Sequence, residues 1–143
     1  GLQPRGKELC DIIVNVLKDK HDVSNISYGY LDITFFRDDF RRNEDVLLPN
    51  STDFKLLVED KQVVFIDDVL YTGRTIRAAL TAIETFGRPK SIELLVLVDR
   101  RYSRELPIQP DYKGIQVDVY DNQKVNVCWD DNKLGNYIYI ENE

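Results

Sequence analysis

Residues Val63-Val64-Phe65-Ile66 run without a polar break into two adjacent carboxylates, Asp67 and Asp68, followed by Val69 and Leu70. A small polar turn, Tyr71-Thr72-Gly73-Arg74-Thr75, comes next, and Ile76, Ala79, Leu80 and Ile83 then recur at helical spacing. The order predicts a strand, an acidic edge, a tight loop and a helix from Arg74 to Phe86, stopped by Gly87 and Pro89. In an open α/β sheet, ligands bind at the carboxyl ends of strands, and the N–H groups that open a helix favour an anion.

The chemistry of the loop suits phosphate. Gly73 permits close approach of the backbone, Thr72 and Thr75 bring hydroxyl donors, and Arg74 adds positive charge. Asp67 and Asp68 cannot bind phosphate directly. They suit sugar hydroxyls, or a Mg2+ ion shared with a polyanion. Phosphate, diol and metal together describe a phosphorylated ribose. Neither the G-x-x-x-x-G-K-[ST] spacing nor a G-x-G-x-x-G fingerprint occurs, so a P-loop and a dinucleotide fold are set aside. A helix cap alone needs one Asp or Thr, not the whole cluster.

The 143 residues are enough for one domain with a real core. A net charge of −6 argues against nucleic-acid binding as the dominant role, although a local basic patch is compatible with it. Cys10 and Cys128 lie far apart without C-x-x-C spacing, as expected of reduced structural thiols in a cytoplasmic protein. No apolar run approaches the roughly 18 residues of a membrane span.

Leu9, Ile12, Ile13, Val16 and Leu17 predict an amphipathic helix from Lys7 to Lys20. His21, the one histidine, reads as a solvated loop residue. Ile26 to Phe36 is rich in aromatic and β-branched residues and predicts a strand. The polar stretch between Arg37 and Lys61 is too long for an ordinary connection; it reads as a functional lid, a disordered segment or a solvated charged hairpin. Ser91 to Val98 is nearly continuous in apolar residues, as in a parallel strand covered on both faces, and it ends in Asp99-Arg100-Arg101. Alternation at Ile115-Val117-Val119, Val125-Val127-Trp129 and Tyr137 to Ile140 predicts half-buried strands. Trp129 and the tyrosines read as packing residues.

The segment from Val63 to Thr75 resembles the phosphoribosyl-diphosphate (PRPP) motif of type I phosphoribosyltransferases. The wording Asp67 to Thr75 is closer still to the PyrR family of pyrimidine-operon regulators with uracil phosphoribosyltransferase activity. Further matches are Leu31 to Thr34 with Arg37-Asp38-Asp39, Gly87-Arg88-Pro89, Val96 to Arg100, and Arg104-Glu105-Leu106-Pro107-Ile108, in the family's order over nearly the whole chain. The resemblance implies an α/β phosphoribosyltransferase fold: a mainly parallel sheet flanked by helices, with a small C-terminal hood over the base.

It also implies roles. PRPP and a nucleobase, uracil in preference, are the substrates, and Mg2+ the cofactor. Asp67 and Asp68 hold the ribose and metal, and Tyr71 to Thr75 hold the 5′-phosphate. Arg5 and Gly6 belong to the diphosphate loop, and Arg37 meets the diphosphate from the lid. Val69, Asp99, Val125 and Asn126 are base contacts; Asp130 is either a further metal ligand or an ordinary loop carboxylate. Purine-specific relatives typically carry an aspartate at the position of Tyr71 and a lysine at that of Asp99, so both positions weaken a hypoxanthine or guanine reading. A regulator binding pyrimidine-leader RNA is the alternative, with Arg41-Arg42, Arg77, Arg88, Lys90, Arg100, Arg101 and Arg104 as scattered cationic candidates. Relatives are dimers or larger. In the family a helix and a strand precede the diphosphate loop, whose usual form is closer to Lys-Thr-Arg-Gly than to Gln3-Pro4-Arg5-Gly6. A chain lacking that N-terminal helix and strand is therefore expected, with the loop left unsupported.

Overall fold

The computed structural model describes residues 1–34, 58–120, 122–129 and 135–142. In chain order these form β1 (Leu2–Gln3), α1 (Gly6–His21), β2 (Leu31–Asp32), β3 (Gln62–Leu70), α2 (Arg74–Glu84), β4 (Ser91–Arg101), β5 (Tyr112–Asp118), β6 (Gln123–Cys128) and β7 (Tyr137–Asn142). Strands β3, β4 and β5 form a parallel sheet with β4 in the centre, β1 pairs in parallel with β2, and β6 and β7 form an antiparallel hairpin. The expected α/β architecture with a mainly parallel sheet flanked by helices is present, and the C-terminal strands β6 and β7 pair as a hairpin.

Side-chain alternation explains how the helices are placed. Phe65 joins a core with Ile76, Ala79, Ala82 and Ile83 of α2, whereas its neighbour Ile66 joins Leu9, Cys10 and Val14 of α1. Successive strand residues point to opposite faces, so α1 and α2 cover opposite sides of the sheet. On β4, Leu94 and Val96 serve the α2 core and Leu95 and Leu97 the α1 core. That double coverage is why the run reads as continuously apolar. A third core joins Val98 to Val119 and Val125, seating the hairpin on the end of the sheet.

Helix α1 extends the expected span by one residue at each end. The strand expected over Ile26 to Phe36 shrinks to Leu31–Asp32, with residues 35 and 36 outside the described set. Its aromatic residues pack on α1 instead of entering a ladder: Lys7 and Lys18 sit over the rings of Tyr30 and Tyr28, and the Tyr30 hydroxyl donates to Asp11. Strand β4 runs three residues past its expected end, because Asp99, Arg100 and Arg101 find register partners in Gln116, Val117 and Asp118. The expectation for β5 also changes. It forms one border of its sheet and leaves Ile115 45% exposed.

The loop expected to meet diphosphate follows a short paired strand. Leu2 and Gln3 pair with Leu31 and Asp32. Two residues of strand tie Pro4-Arg5-Gly6 to β2. Among the described residues no helix is long and apolar enough to cross a membrane.

Candidate active site

Strand β3 delivers Asp67 and Asp68 to the end of the sheet as buried carboxylates, 6% and 4% exposed. The Asp68 N–H donates to Asp67 Oδ1 at 3.0 Å, and the Val69 N–H donates to Asp68 Oδ1 at 2.8 Å. Burial pushes the Asp67 carboxyl up to about 8, with the charge of Asp68 adding to it and Arg5 opposing. Burial also raises Asp68, against the Val69 N–H and Arg5. Two acids held side by side out of water are costly unless a cation or a set of donors is to meet them.

They open into a cavity of about 400 Å3. Arg5 and Pro4 line it from the turn before α1, Val69, Tyr71 and Thr75 from the end of β3 and its loop, Arg100 from β4, and Gln123 to Val125 from the hood. Gly6 is buried directly behind the acids. A Cβ there would collide with the Ile66 carbonyl oxygen and lie 3.1 Å from the Asp67 Cα, so only glycine lets α1 start this close to β3. An adjoining cleft, lined by Arg5, Asp68, Asn126 and Trp129, runs under the hairpin.

The turn expected to grip phosphate forms its own cleft of about 290 Å3, lined by Asp67 and by Tyr71 through Thr75. Gly73 adopts φ +93° and precedes the first turn of α2, whose leading N–H groups have no partner further back in the helix. The Arg74 N–H donates to Thr72 Oγ1 at 3.3 Å. The Arg74 guanidinium pairs with Glu105 at 2.7 Å in an exposed ion pair, so part of its charge is turned outward.

The segment Arg104 to Ile108 braces this turn. Arg104 donates to the Tyr71 carbonyl, the N–H groups of Glu105 and Leu106 donate to the Thr72 carbonyl at 3.0 and 3.2 Å, and Leu106 and Ile108 close beneath Gly73. The sequence offers Arg104 only as one of the scattered cations and Glu105 to Ile108 only as part of a family match. The signal available was their loop composition directly after a strand that ends in charge.

Asp99 does not reach the cavity, contrary to its expected place among the base contacts. Its carboxylate accepts from Arg104 at 2.5 Å and from Gln116 at 3.0 Å, and Lys113 lies 3.9 Å away. Strand alternation sends its neighbour Arg100 into the cavity instead, a residue that sequence reasoning had counted only among scattered surface cations. Val69 and Val125 do line the cavity, whereas Asn126 faces the adjoining cleft and donates to Glu141 at 2.5 Å. Arg37, with the rest of the expected lid, and Asp130 lie outside the described residues.

Comparison with known proteins gives this geometry its context. The family profile for the phosphoribosyl transferase domain matches residues 1–132. The chain is 44% identical over 127 residues to the bifunctional protein PyrR of Acetivibrio thermocellus, covering 89% of this chain and 68% of that protein. Against the bifunctional protein PyrR of Latilactobacillus sakei it is 44% identical over 145 residues, covering 99% and 79%. Among solved structures, a hypoxanthine phosphoribosyltransferase from Staphylococcus aureus superposes with a TM-score of 0.62 at 18% identity, over 87% of this chain and 62% of that one. A purine phosphoribosyltransferase from Pyrococcus horikoshii gives 0.55 at 21% identity, over 82% and 68%; at such identities the likeness concerns the fold alone. A parallel sheet with paired acids at its rim, a braced glycine turn and 44% identity to two PyrR proteins lead to one conclusion: the chain belongs to the phosphoribosyltransferase family, in its PyrR branch.

Proposed function

We propose that this chain transfers the phosphoribosyl group of PRPP to a ring nitrogen of uracil, giving UMP and diphosphate. The observation that carries the reading is the buried Asp67–Asp68 pair, opening into one cavity with Arg5 and Thr75 and bordering the braced turn. Breaking the bond to diphosphate develops positive charge on the ribose and negative charge on the leaving group. Preorganised charges are most effective where that charge develops, in a site shielded from water. Asp67 and Asp68 supply negative charge beside the ribose and acceptors for its hydroxyls, and Arg5 supplies positive charge toward the diphosphate. The N–H groups and hydroxyls of Thr72 to Thr75 anchor the 5′-phosphate, and that remote binding energy fixes the reacting carbon.

The acid pair also fits Mg2+, which takes one or two carboxylates together with substrate phosphates. When bound, it would neutralise charge on the diphosphate. Uracil is favoured over a purine because the PyrR proteins match at 40–44% identity, whereas the purine enzymes match at 13–21%.

Incubating the protein with PRPP, Mg2+ and radiolabelled uracil, hypoxanthine or guanine tests the reading. UMP is the expected product, with no IMP or GMP. Product from a purine and none from uracil would overturn it.

The word bifunctional in the relatives' names supports a second role, regulation through pyrimidine-leader RNA. Several cations first considered for it are committed elsewhere: Arg100 is buried, Arg101 pairs with Asp118 at 2.5 Å and Arg104 with Asp99. A gel shift with leader RNA that weakens with salt and strengthens with UMP would support this role. No shift at low salt would remove it.

A further inference from the structure

Arg100 is 4% exposed, yet among the described residues it forms no ion pair. Its guanidinium carbon lies 3.8 Å from the centroid of the Tyr71 ring, and Nη2 donates to the Gln123 carbonyl at 3.1 Å. Its Nε–H has no acceptor and is the one buried side-chain polar atom without a partner among the described residues. Buried polar groups are almost always satisfied, and leaving one unmade costs free energy, so such an orphan points to a missing ligand atom.

The location narrows what that atom is. Arg100 lines the cavity at the acid pair with Val69 and Val125, between the end of β3 and the hairpin. It does not line the cleft of the phosphate turn. The stack on Tyr71 and the bond to Gln123 hold the guanidinium in place, which leaves Nε as a single unpaired donor rather than a two-pronged clamp of the kind that holds phosphate.

We propose that Arg100 determines base specificity, its Nε–H donating to the 4-oxo oxygen of the bound pyrimidine, the edge at which uracil and cytosine differ. An oxo-pyrimidine satisfies the orphan donor. An amino-pyrimidine, which presents N–H at the corresponding edge, sets donor against donor and leaves both unpaired. A site built around such a contact rejects the wrong analogue far more strongly than shape alone does. This rests on the reading of the cavity as a base and ribose site.

The test measures UMP, CMP and PRPP binding by calorimetry, the last with Mg2+, for the wild type, Arg100→Gln and Arg100→Lys. Thermal unfolding checks that each variant folds, and the lysine variant keeps the charge should the glutamine one fail. The wild type is expected to prefer UMP over CMP by about tenfold or more. Both substitutions should remove most of that preference while changing PRPP affinity less than about twofold. Equal UMP and CMP affinities in the wild type, or a preference that survives both substitutions, would overturn the proposal. Weakened PRPP binding with the preference intact would also overturn it and assign Nε to a phosphate oxygen. Failure of the wild type to bind PRPP would instead sink the phosphoribosyl reading, and a nucleotide preference lost at Arg100 would still stand.

Discussion

The guanidinium of Arg100 stacks on the ring of Tyr71, 3.8 Å from carbon to ring centroid, and so joins β4 to the turn that follows β3. A cation on an aromatic face contributes about 0.5–2 kcal/mol, more as water is excluded. Tyr71→Phe keeps the face and is expected to leave the KM for uracil within about twofold. Tyr71→Ala frees the guanidinium plane and should raise that KM roughly 2–30-fold, the same range expressed as a ratio. Steady-state kinetics with uracil varied at saturating PRPP decide it. An alanine variant indistinguishable from wild type would show that the stack has no part in holding the base.

Arg104 ties two elements together, donating to both the Asp99 carboxylate and the Tyr71 carbonyl. Arg104→Ala leaves Asp99, whose side chain is 6% exposed, without its closest cation and loosens the phosphate turn. A loss of about 1.5–3 kcal/mol in stability follows from a charged hydrogen bond broken at a buried partner. Urea unfolding measures this, and the KM for PRPP should rise in parallel. Unchanged stability with a normal KM would mean that Gln116 and Lys113 suffice for Asp99 and that the turn holds itself.

Gly6 is the tightest contact in the site, since α1 begins where any Cβ would run into the backbone of Ile66. Gly6→Ala must push α1 away from β3, and overpacking of this kind costs about 1–3 kcal/mol. The displacement carries Arg5 with it, so PRPP turnover should fall further than stability alone explains. A variant with wild-type unfolding midpoint and turnover would contradict the close-approach argument.

What could be read in advance follows from physical range. The acidic edge, the glycine turn and both helices depend on local order and short-range periodicity, and they stand within two residues of where the pattern placed them, α2 ending at Glu84 rather than Phe86. Arg100 rather than Asp99 lines the cavity, and the sequence does not show this because strand continuation past Val98 is not visible in it. The register with Gln116 and Val117 keeps β4 going, and only that register decides which neighbour faces the cavity. The brace from Arg104 to Ile108 was opaque for a related reason: it acts across more than thirty residues of chain on carbonyls of the turn. Local pattern showed the chemistry of the loop but not what holds it.

The acid pair makes stability depend on pH. The folded state holds the Asp67 carboxyl up at about 8, against an ordinary value of 3.8, through burial and then the charge of Asp68. Between those values the unfolded chain has released a proton that the folded chain retains, so stability declines as pH rises. In metal-free, ligand-free buffer the unfolding midpoint should fall from pH 5 to pH 8, and Asp67→Asn should flatten the slope. An identical slope in the variant would place the titration elsewhere.

The central claim is that paired acids beside a braced turn receive a phosphorylated ribose, and equilibrium binding of PRPP with Mg2+ tests it most directly. Calorimetry should give one PRPP per chain for the wild type. Asp67→Asn with Asp68→Asn, checked for folding, should weaken it by at least about tenfold, or about 1.4 kcal/mol. Wild-type affinity in the doubly substituted protein would contradict the account.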